Sequence, residues 1–259
     1  MTWQTAIEAA LDGAAALALR GPGEVRAKAD GTVVTEADLA VEALLDAALL
    51  DACPGDGLLS EEGRARPGDP WWCLDPIDGT SNFARGGPDW SIALARVQGS
   101  DPVWSALRFP ARGERWTAQR GGGAWVDGRR LPALPGAGDP AVPLDVAGAG
   151  RAGWGAAPVI HLPHTARRLL RLRWPAELRS PRCVTRSLAA VAAGEADAAL
   201  IGPGWGAWDL LSGLLLLWEV GGGAWTLSGA PLRLGSEFAE PLVVGAPPAA
   251  AALALAIEG

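Results

Sequence analysis

A six-residue acidic segment, Asp75–Thr80, limits more than any other feature how this chain can fold. It follows Trp71–Leu74, an apolar run that predicts a buried strand. Two carboxylates three residues apart at the exit of such a strand point into the same space, where Pro76 fixes φ and Gly79 permits a tight turn. A short helix through Phe83 is predicted to follow, and its free N–H groups, directed back at the turn, suit a phosphate.

Oxygen atoms are the natural ligands in this turn. The carboxylates of Asp75 and Asp78 and the Ile77 carbonyl would favour magnesium or manganese over soft metals. Glu61 and Glu62 end a second, short predicted strand, and a shared cation is one way to hold two adjacent like charges together. The alternatives are an ordinary Asp-rich turn and a solvated acidic loop entrance. The complete acidic segment after an apolar strand favours the metal site.

Asp209 opens another segment of interest, a predicted apolar helix over Trp208–Val220. An Asp at the start of a helix most often caps it. The carboxylate could also reach a metal if the helix points at the same pocket, and sequence spacing leaves both interpretations open.

The order of predicted elements divides the chain into two lobes of one compact unit, residues 1–131 and 132–259. The first lobe is predicted to carry the metal site on an α+β framework, and the second to complete it with an α/β framework. The first lobe is predicted to contain the helices Trp3–Leu19 and Glu36–Ala52, the polar loop Gly63–Pro70 and the mostly β block Trp71–Leu131. The Gly/Pro/Ala-rich segment Pro132–Gly155 forms the boundary, and the helices Thr165–Arg173 and Leu188–Gly194 follow it.

Composition excludes several classes of partner. The net charge of −7 gives no electrostatic reason to expect a nucleic acid polymer or an anionic membrane. The longest apolar run, Leu210–Trp218, is too short to span a bilayer, and Met1–Leu19 lacks the basic start of a signal peptide. Three unpatterned cysteines indicate reduced thiols and a cytoplasmic location, while two histidines supply a zinc site poorly. The chain otherwise uses arginine, and Lys28 is its sole lysine.

Five segments resemble, in order, the motifs of the inositol monophosphatase family. They are Thr35–Asp38, Ser60–Glu62, Trp72–Phe83, Gly113–Gly128 and Trp208–Gly222. Five motifs in register are far more specific than one, and they cover most of the chain, with Pro132–Leu178 the weakest stretch. The resemblance implies an α+β or α/β fold of the sugar phosphatase type, a layered α/β/α/β/α sandwich with a mixed sheet in each half. It also implies a magnesium-dependent, lithium-sensitive phosphatase.

The resemblance implies a role at each matching position. The implied metal ligands, for two or three Mg²⁺ ions with Mn²⁺ as an alternative, are Glu61, Asp75, the Ile77 carbonyl, Asp78 and Asp209. The implied catalytic residues are Asp38 and Thr80, which orient and activate the attacking water, Glu62, which acts through a metal-bound water, and Lys28, which lies near the site. Gly79 and Thr80 would offer backbone N–H groups to the phosphate. No covalent enzyme intermediate is needed, which fits the lack of an obvious Ser or Cys nucleophile.

Two departures from the family argue against inositol itself as the substrate. Leu200–Gly206 lacks the acidic residue that contacts substrate hydroxyls in the inositol-binding enzymes, and the usual small-residue segment is replaced by Arg182–Ser187. Either Arg182 or Arg186 could bind a second phosphate, or both could be structural.

The substrate therefore stays open at this point. The leading expectation is a polyol or sugar phosphate, and the alternatives are a nucleotide bisphosphate, histidinol phosphate or a sugar bisphosphate. A different class of function is a catalytically silent, metabolite-binding relative. Because the family is often dimeric, a homodimer is expected.

Overall fold

The computed structural model describes residues 2–29, 31–150, 154, 158–164, 171–232 and 240–258. Six α-helices and seventeen β-strands lie within these residues. The helices are α1 (Trp3–Ala18), α2 (Glu36–Ala52), α3 (Thr80–Phe83), α4 (Val184–Ala192), α5 (Ala207–Glu219) and α6 (Pro247–Ala256). None of the helices in the described ranges has the length and apolarity that a bilayer crossing requires.

The strands fall into two large sheets and two small ones. The first ten are β1 (Val25–Ala27), β2 (Val33–Thr35), β3 (Gly57–Ser60), β4 (Ala65–Arg66), β5 (Trp71–Asp78), β6 (Ser91–Gln98), β7 (Asp101–Phe109), β8 (Glu114–Gln119), β9 (Gly123–Val126) and β10 (Arg129–Arg130). The others are β11 (Val159–His161), β12 (Arg171–Leu172), β13 (Glu177–Arg179), β14 (Ala198–Ile201), β15 (Gly223–Thr226), β16 (Leu242–Gly245) and β17 (Ile257–Glu258).

The first large sheet contains eight strands in the order β10-β9-β8-β7-β6-β5-β3-β4. Only β3 and β5 pair in parallel, and the other neighbours are antiparallel. The short loops between consecutive strands explain this pattern, because antiparallel neighbours need only a hairpin whereas a parallel pair needs a longer crossover.

The second large sheet contains five strands in the order β13-β11-β14-β16-β15. The pairs β13–β11 and β11–β14 are parallel, and the pairs β14–β16 and β16–β15 are antiparallel, so this sheet is mixed as well. Strands β1 and β2 form a separate hairpin that leads into α2, and β12 pairs with β17.

The helices complete five layers. Helices α1 and α2 cover the outer face of the first sheet, where Leu11 and Val41 share a core with Trp72 and Leu94. Helix α6 covers the outer face of the second sheet in the same way. Helices α4 and α5 lie between the sheets, in one core that contains residues of both, such as Phe109. The predicted α/β/α/β/α sandwich with mixed sheets is confirmed.

The central position of α5 explains its composition. A helix that is apolar on all sides is typical of a fully enclosed position, and the residues Leu210–Leu217 are all buried between the two sheets. Its first turn is therefore fixed at the edge where both sheets end.

The structure differs from the prediction at one loop and describes only part of one predicted helix. The polar loop predicted at Gly63–Pro70 contains strand β4, which pairs with β3 because Arg64 and Arg66 form ion pairs with acidic side chains of α2. The helix predicted over Thr165–Arg173 falls mostly outside the described residues, and its last part includes the short strand β12.

Candidate active site

The parallel pair of strands β3 and β5 brings the first two acidic motifs together. Ser60 lies opposite Leu74 in the register of this pair. The backbone N–H of Glu61 donates a hydrogen bond of 3.1 Å to the Leu74 carbonyl. Since parallel strands end at the same edge of a sheet, Glu61 and Asp75 leave that edge side by side.

Three carboxylates from distant segments meet at this edge. One oxygen atom each of Asp75, Asp78 and Asp209 lies within 4.8 Å of the other two. All three residues are buried, with 1%, 5% and 8% of their surface exposed. Three buried carboxylates at this separation repel one another strongly, because little water screens their charges.

Asp75 is the least compensated of the three. Neither of its carboxylate oxygens has a hydrogen-bond partner among the residues that the structure describes. Burial is the main reason why the pKa of Asp75 is raised well above its usual range, and the negative charges of Glu61, Asp78 and Asp209 add to it. A buried carboxylate with unpartnered oxygens close to three other carboxylates fits a divalent cation, which would satisfy the free oxygens and neutralise the repulsion.

Asp209 is oriented by its own helix. It lies in the first turn of α5, and one of its carboxylate oxygens accepts a 2.8 Å hydrogen bond from the backbone N–H of Gly206. Burial and then the charge of Asp78 raise the pKa of Asp209 well above its usual range. The capping interaction therefore uses one oxygen and leaves the other for the carboxylate cluster, so the two interpretations of this residue are compatible.

Asp78 is held by the start of helix α4. Its Oδ2 atom accepts hydrogen bonds from the backbone N–H of Thr185 at 2.7 Å and from the Thr185 hydroxyl at 2.6 Å. The Cys183 thiol donates to the same oxygen at 3.1 Å, while the Val184 N–H contacts Oδ1 at 3.3 Å. Burial raises the pKa of Asp78, and these hydrogen bonds oppose the increase.

Lys28 contacts the two glutamates at the end of β3. Its ammonium lies 3.0 Å from a Glu61 oxygen and 2.7 Å from a Glu62 oxygen. Burial alone would lower the pKa of Lys28, but the hydrogen bonds with Glu62 and Glu61 outweigh it, so the pKa is raised. Burial raises the pKa of Glu62, against the opposing effect of Lys28. The sole lysine of the chain is thus a counter-ion of the acidic edge.

Asp38 belongs to the cap of helix α2. Thr35 precedes the helix, and its backbone N–H donates to Oδ2 of Asp38 at 2.9 Å while the Thr35 hydroxyl bonds the same oxygen. Burial raises the pKa of Asp38 to about 6, and the charges of Glu62 and Glu61 contribute in the same direction. Oδ1 of Asp38 is buried without a hydrogen-bond partner in the described part of the chain.

The turn after Asp78 brings Thr80 back onto the strand. The Thr80 hydroxyl donates a 2.9 Å hydrogen bond to the Ile77 carbonyl, one of the predicted oxygen ligands. Gly79 adopts φ 84°, and a Cβ atom there would lie 2.8 Å from the Asp89 carbonyl oxygen. A side chain at this position would both strain the backbone and collide with the backbone of Asp89, so the turn requires glycine.

The two arginines predicted to affect specificity lie in different surroundings. Arg182 is exposed, with φ 57°, at the rim of a cavity beside Cys183. Arg186 is buried in helix α4 and forms ion pairs with Glu195 and, at 3.8 Å, with Glu114. The structure therefore places one arginine at a cavity and pairs the other with two acids.

Sequence reasoning missed Thr185 as a partner of Asp78. The helix was predicted to begin at Leu188, which left Thr185 outside it, whereas α4 begins at Val184. A Thr or Cys near the beginning of a buried helix was the available signal, because such residues cap helices and bind carboxylates there.

A second group that sequence reasoning missed joins helix α2 to the turn after β3. Glu42 and Asp46 of α2 are buried, and Arg64 bridges them with contacts of 3.0 Å to each side chain. Two acids four residues apart among the apolar residues in the middle of α2 were the available signal, since buried carboxylates are normally paired.

Solved structures share this fold. The extragenic suppressor protein suhB from Bartonella henselae superimposes with a TM-score of 0.80 at 24% identity, covering 98% of both chains. The Thermotoga maritima IMPase gives a TM-score of 0.77 at 23% identity, covering 97% of this chain and 95% of that one. These likenesses show the fold, in which a buried carboxylate cluster lies at the edge of the first sheet.

The family follows from sequence. The chain matches the inositol monophosphatase family over residues 2–257 and belongs to it. An inositol-1-monophosphatase of Rhizobium meliloti is 33% identical over 226 residues, which are 82% of this chain and 80% of that protein. A histidinol-phosphatase of Mycobacterium tuberculosis is 44% identical over 107 residues, 40% of this chain and 41% of that protein. The predicted resemblance to this family is confirmed. The predicted enzyme class, a phosphoric monoester hydrolase, is confirmed with it.

Proposed function

We propose that this chain is a Mg²⁺-dependent phosphatase that hydrolyses the phosphate monoester of a small metabolite by direct attack of water. The observation that carries the proposal is the pair of free, buried carboxylate oxygens of Asp75 among three further carboxylates. Such a cluster is costly to fold without a cation, and hard oxygen ligands prefer Mg²⁺ or Mn²⁺.

The residues that would hold the ions are those at the edge of the first sheet. Asp75 would contribute to the binding of two ions, Asp78 and Asp209 to that of one of them, and Glu61 to that of the other. The Ile77 carbonyl would add a further oxygen, and two or three ions are proposed in all. When bound, such ions make a coordinated water more acidic and neutralise the charge that develops on the phosphoryl group.

The side chains around the cluster would manage protons and orientation. The Asp38 carboxylate, with a pKa of about 6, is mostly ionised at neutral pH and would accept a proton that Thr80 relays from the attacking water. Glu62 would position a water molecule at the edge of the site, and Lys28 would balance the charge of both glutamates. The N–H groups of Gly79 and Thr80 would bind the phosphate oxygens.

The relatives leave several substrates open. Their names cover inositol phosphate, histidinol phosphate and, in a Thermotoga maritima protein that is 35% identical over 99 residues, fructose bisphosphate. We propose as the substrate a small phosphorylated metabolite of the polyol, sugar or nucleotide type, with histidinol phosphate as a further candidate.

We also propose that residues 1–131 and 132–259 act as two lobes of one unit, that the protein forms a homodimer, and that it works in the cytoplasm.

Phosphate release tests the proposed function. The purified chain should release phosphate from at least one of inositol phosphate, fructose bisphosphate, adenosine bisphosphate and histidinol phosphate with Mg²⁺, and EDTA should stop the reaction. Asp78→Asn should nearly abolish turnover while thermal unfolding stays cooperative, and unchanged turnover would refute the role of Asp78. Silence on the whole panel with both Mg²⁺ and Mn²⁺ would instead indicate a metabolite-binding relative.

A further inference from the structure

Helix α4 begins with a buried arginine, which local rules disfavour in two ways. Arg186 is the third residue of the helix and is only 6% exposed. The positive end of the helix dipole disfavours a cation in the first turn, and a buried charge costs free energy unless it is paired. A conflict of this kind needs compensation from neighbouring groups, and such conflicts are expected mainly at functional or strained sites.

Two acids provide the compensation. The guanidinium of Arg186 donates a hydrogen bond to the carboxylate of Glu195, beyond the end of the helix, and its Nη1 atom lies 3.8 Å from the carboxylate of Glu114 on β8. Glu114 is itself fixed, because it accepts hydrogen bonds from the Trp116 indole at 3.0 Å and from the Arg112 guanidinium at 2.9 Å. Since little water screens charges at a buried position, these ion pairs tie the beginning of α4 to the first sheet.

Side chains of both sheets interact with the same guanidinium. Its central carbon lies 5.8 Å from the centroid of the Phe109 ring on β7, within the range of a cation–π interaction. His161 on β11 is buried, and burial followed by the charge of Arg186 lowers the pKa of His161 to about 4. The imidazole is therefore neutral at neutral pH and adds no second positive charge beside Arg186.

The turn that contains Arg186 is also the turn that holds Asp78. Thr185 donates two hydrogen bonds to Oδ2 of Asp78, and the Cys183 thiol donates a third. The backbone N–H of Arg186 donates to the Cys183 sulfur at 3.4 Å, which caps the helix. A displacement of this turn therefore changes the donors of a carboxylate that belongs to the proposed cation site.

We infer that Arg186 is a positioning residue of the cation site. Its ion pairs with Glu114 and Glu195 hold the first turn of α4 in place. That turn orients the carboxylate of Asp78 through Thr185. The inference rests on the proposed function, because the proposed site supplies the cation that Asp78 binds. It assigns Arg186 to the framework of the site and not to a second phosphate of the substrate, since the guanidinium is buried and paired with two acids.

Mg²⁺ binding tests the inference. Arg186→Met removes the charge and should raise the Mg²⁺ dissociation constant, measured by titration calorimetry, about tenfold, the lower end of the cost of losing a group that supports a metal ligand. The Mg²⁺ concentration for half-maximal phosphate release should rise by the same factor. At saturating Mg²⁺ the KM for the organic phosphate should not change, because the guanidinium does not touch the substrate. A raised KM with unchanged Mg²⁺ affinity would instead assign Arg186 to substrate binding and overturn the inference.

Amide hydrogen exchange in EDTA examines the turn without metal or substrate. The backbone N–H groups of Val184 and Thr185 contact Asp78 in the folded chain. In Arg186→Met these two amides should exchange several-fold faster, while that of Leu214 in the enclosed helix α5 keeps its protection. The same acceleration at all three amides would show a general loss of stability and contradict the positioning role.

A matched control separates positioning from the general cost of losing a buried arginine. Arg108 on β7 is 3% exposed and pairs with Asp12 of α1 at 2.8 Å, on the outer face of the first sheet. Arg108→Met should lower Tm, as Arg186→Met does, but should leave the Mg²⁺ dissociation constant unchanged. Equal losses of Mg²⁺ affinity in the two variants would overturn the inference.

Milder variants keep the inference falsifiable if Arg186→Met does not fold. Arg186→Lys keeps the charge without the planar fork, so its Mg²⁺ affinity should lie between those of the parent and of Arg186→Met. Glu114→Gln keeps the shape of the side chain and removes one charge, and it should weaken Mg²⁺ binding several-fold. In the double variant with Arg186→Met the two losses should not add, because both substitutions break the same ion pair. Unchanged Mg²⁺ affinity in both Arg186→Lys and Glu114→Gln would contradict the inference.

Failure of the inference and failure of the proposed function give different results. Phosphate release by the parent, together with unchanged Mg²⁺ affinity in Arg186→Met, overturns the positioning role and leaves the phosphatase in place. If the parent binds Mg²⁺ but releases phosphate from no substrate, the proposed function fails, and calorimetry and hydrogen exchange still decide the role of Arg186. A parent that binds neither Mg²⁺ nor Mn²⁺ overturns both.

Discussion

Asp78 and Thr185 are 107 positions apart in the chain and are joined by two hydrogen bonds, one from the backbone N–H and one from the hydroxyl of Thr185. The Thr185 hydroxyl also lies 2.6 Å from the Ser91 hydroxyl, so Ser91 can donate to Thr185 while Thr185 donates to Asp78. This chain of donors fixes a carboxylate of the first sheet from a helix that lies between the sheets.

Thr185→Val should weaken both the fold and the cation site. The substitution keeps the shape of the side chain but removes a hydrogen bond to a buried carboxylate, which should cost about 1–3 kcal/mol of unfolding free energy. Urea denaturation and Mg²⁺ titration calorimetry measure the two effects. Thr185→Ser keeps the hydroxyl and should behave nearly like the unmodified chain; equal losses in both variants would indicate a packing defect instead.

Asp75→Asn should stabilise the metal-free protein while it abolishes the response to metal. Burial and the neighbouring carboxylates raise the pKa of Asp75 well above its usual range, so its ionised form is disfavoured in the fold, and a neutral amide removes this penalty. Differential scanning calorimetry with EDTA and with Mg²⁺ provides the comparison. The unmodified chain should gain Tm with Mg²⁺ and the variant should not. A variant less stable than the parent in EDTA would show that Asp75 is not under electrostatic strain.

Stability should depend on pH through Asp38 in a defined direction. The folded pKa of Asp38, about 6, lies above the ordinary value of 3.8 for this side chain, so folding takes up a proton, and the favourable contribution below about pH 4 is lost as the pH rises through 6. The unfolding free energy of Asp38→Asn minus that of the parent should therefore increase between about pH 4 and 6 and then level off, by about 3 kcal/mol for a shift of about two units. Urea titrations in EDTA across this range measure the difference, and a flat difference would rule out the raised pKa.

Lys28 offers a chemical test because it is the sole lysine of the chain. Reductive methylation keeps its charge, whereas acetylation removes it and leaves Glu61 and Glu62 without their counter-ion. Acetylated protein should lose about 1–2 kcal/mol of stability in EDTA, and saturating Mg²⁺ should restore most of the loss. Thermal unfolding of the two modified forms distinguishes the effect of the lost charge from the effect of the added bulk. Mass spectrometry confirms which residue is modified. The same loss in both forms would argue for bulk.

Arg64→Met should loosen the turn that carries Glu61 and Glu62. Arg64 contacts the buried side chains of Glu42 and Asp46 at 3.0 Å, and its removal leaves two acids of α2 with less compensation. We expect a loss of about 1–3 kcal/mol and weaker Mg²⁺ binding, measured by urea denaturation and calorimetry. Arg26→Met is the matched control, because the Arg26–Glu24 pair is fully exposed and its loss should leave the unfolding free energy nearly unchanged. Equal effects of the two variants would refute the supporting role of Arg64.

The sequence predicted the framework of the site better than its surroundings. Asp75 and Asp78 follow a long apolar strand, and Thr35 caps α2 with Asp38, so periodicity and capping rules were sufficient for these elements. The meeting of Asp209 with them depends on the crossing of α5 over β5, which no local pattern encodes. The sequence predicts too late a start for α4. The start depends on hydrogen bonds from Cys183 and Thr185 to Asp78, and these form only when the chain is folded. For the same reason, the sequence alone could not show that Arg182 and Arg186, four residues apart, have different surroundings.

Helix α5 has a consequence for how the protein is made. During synthesis the ribosome releases Asp75 and Asp78 long before Asp209, so a half-made chain carries the acidic edge without the helix that covers it. The three-carboxylate cluster is therefore complete only when α5 takes its place in the core that joins the two sheets.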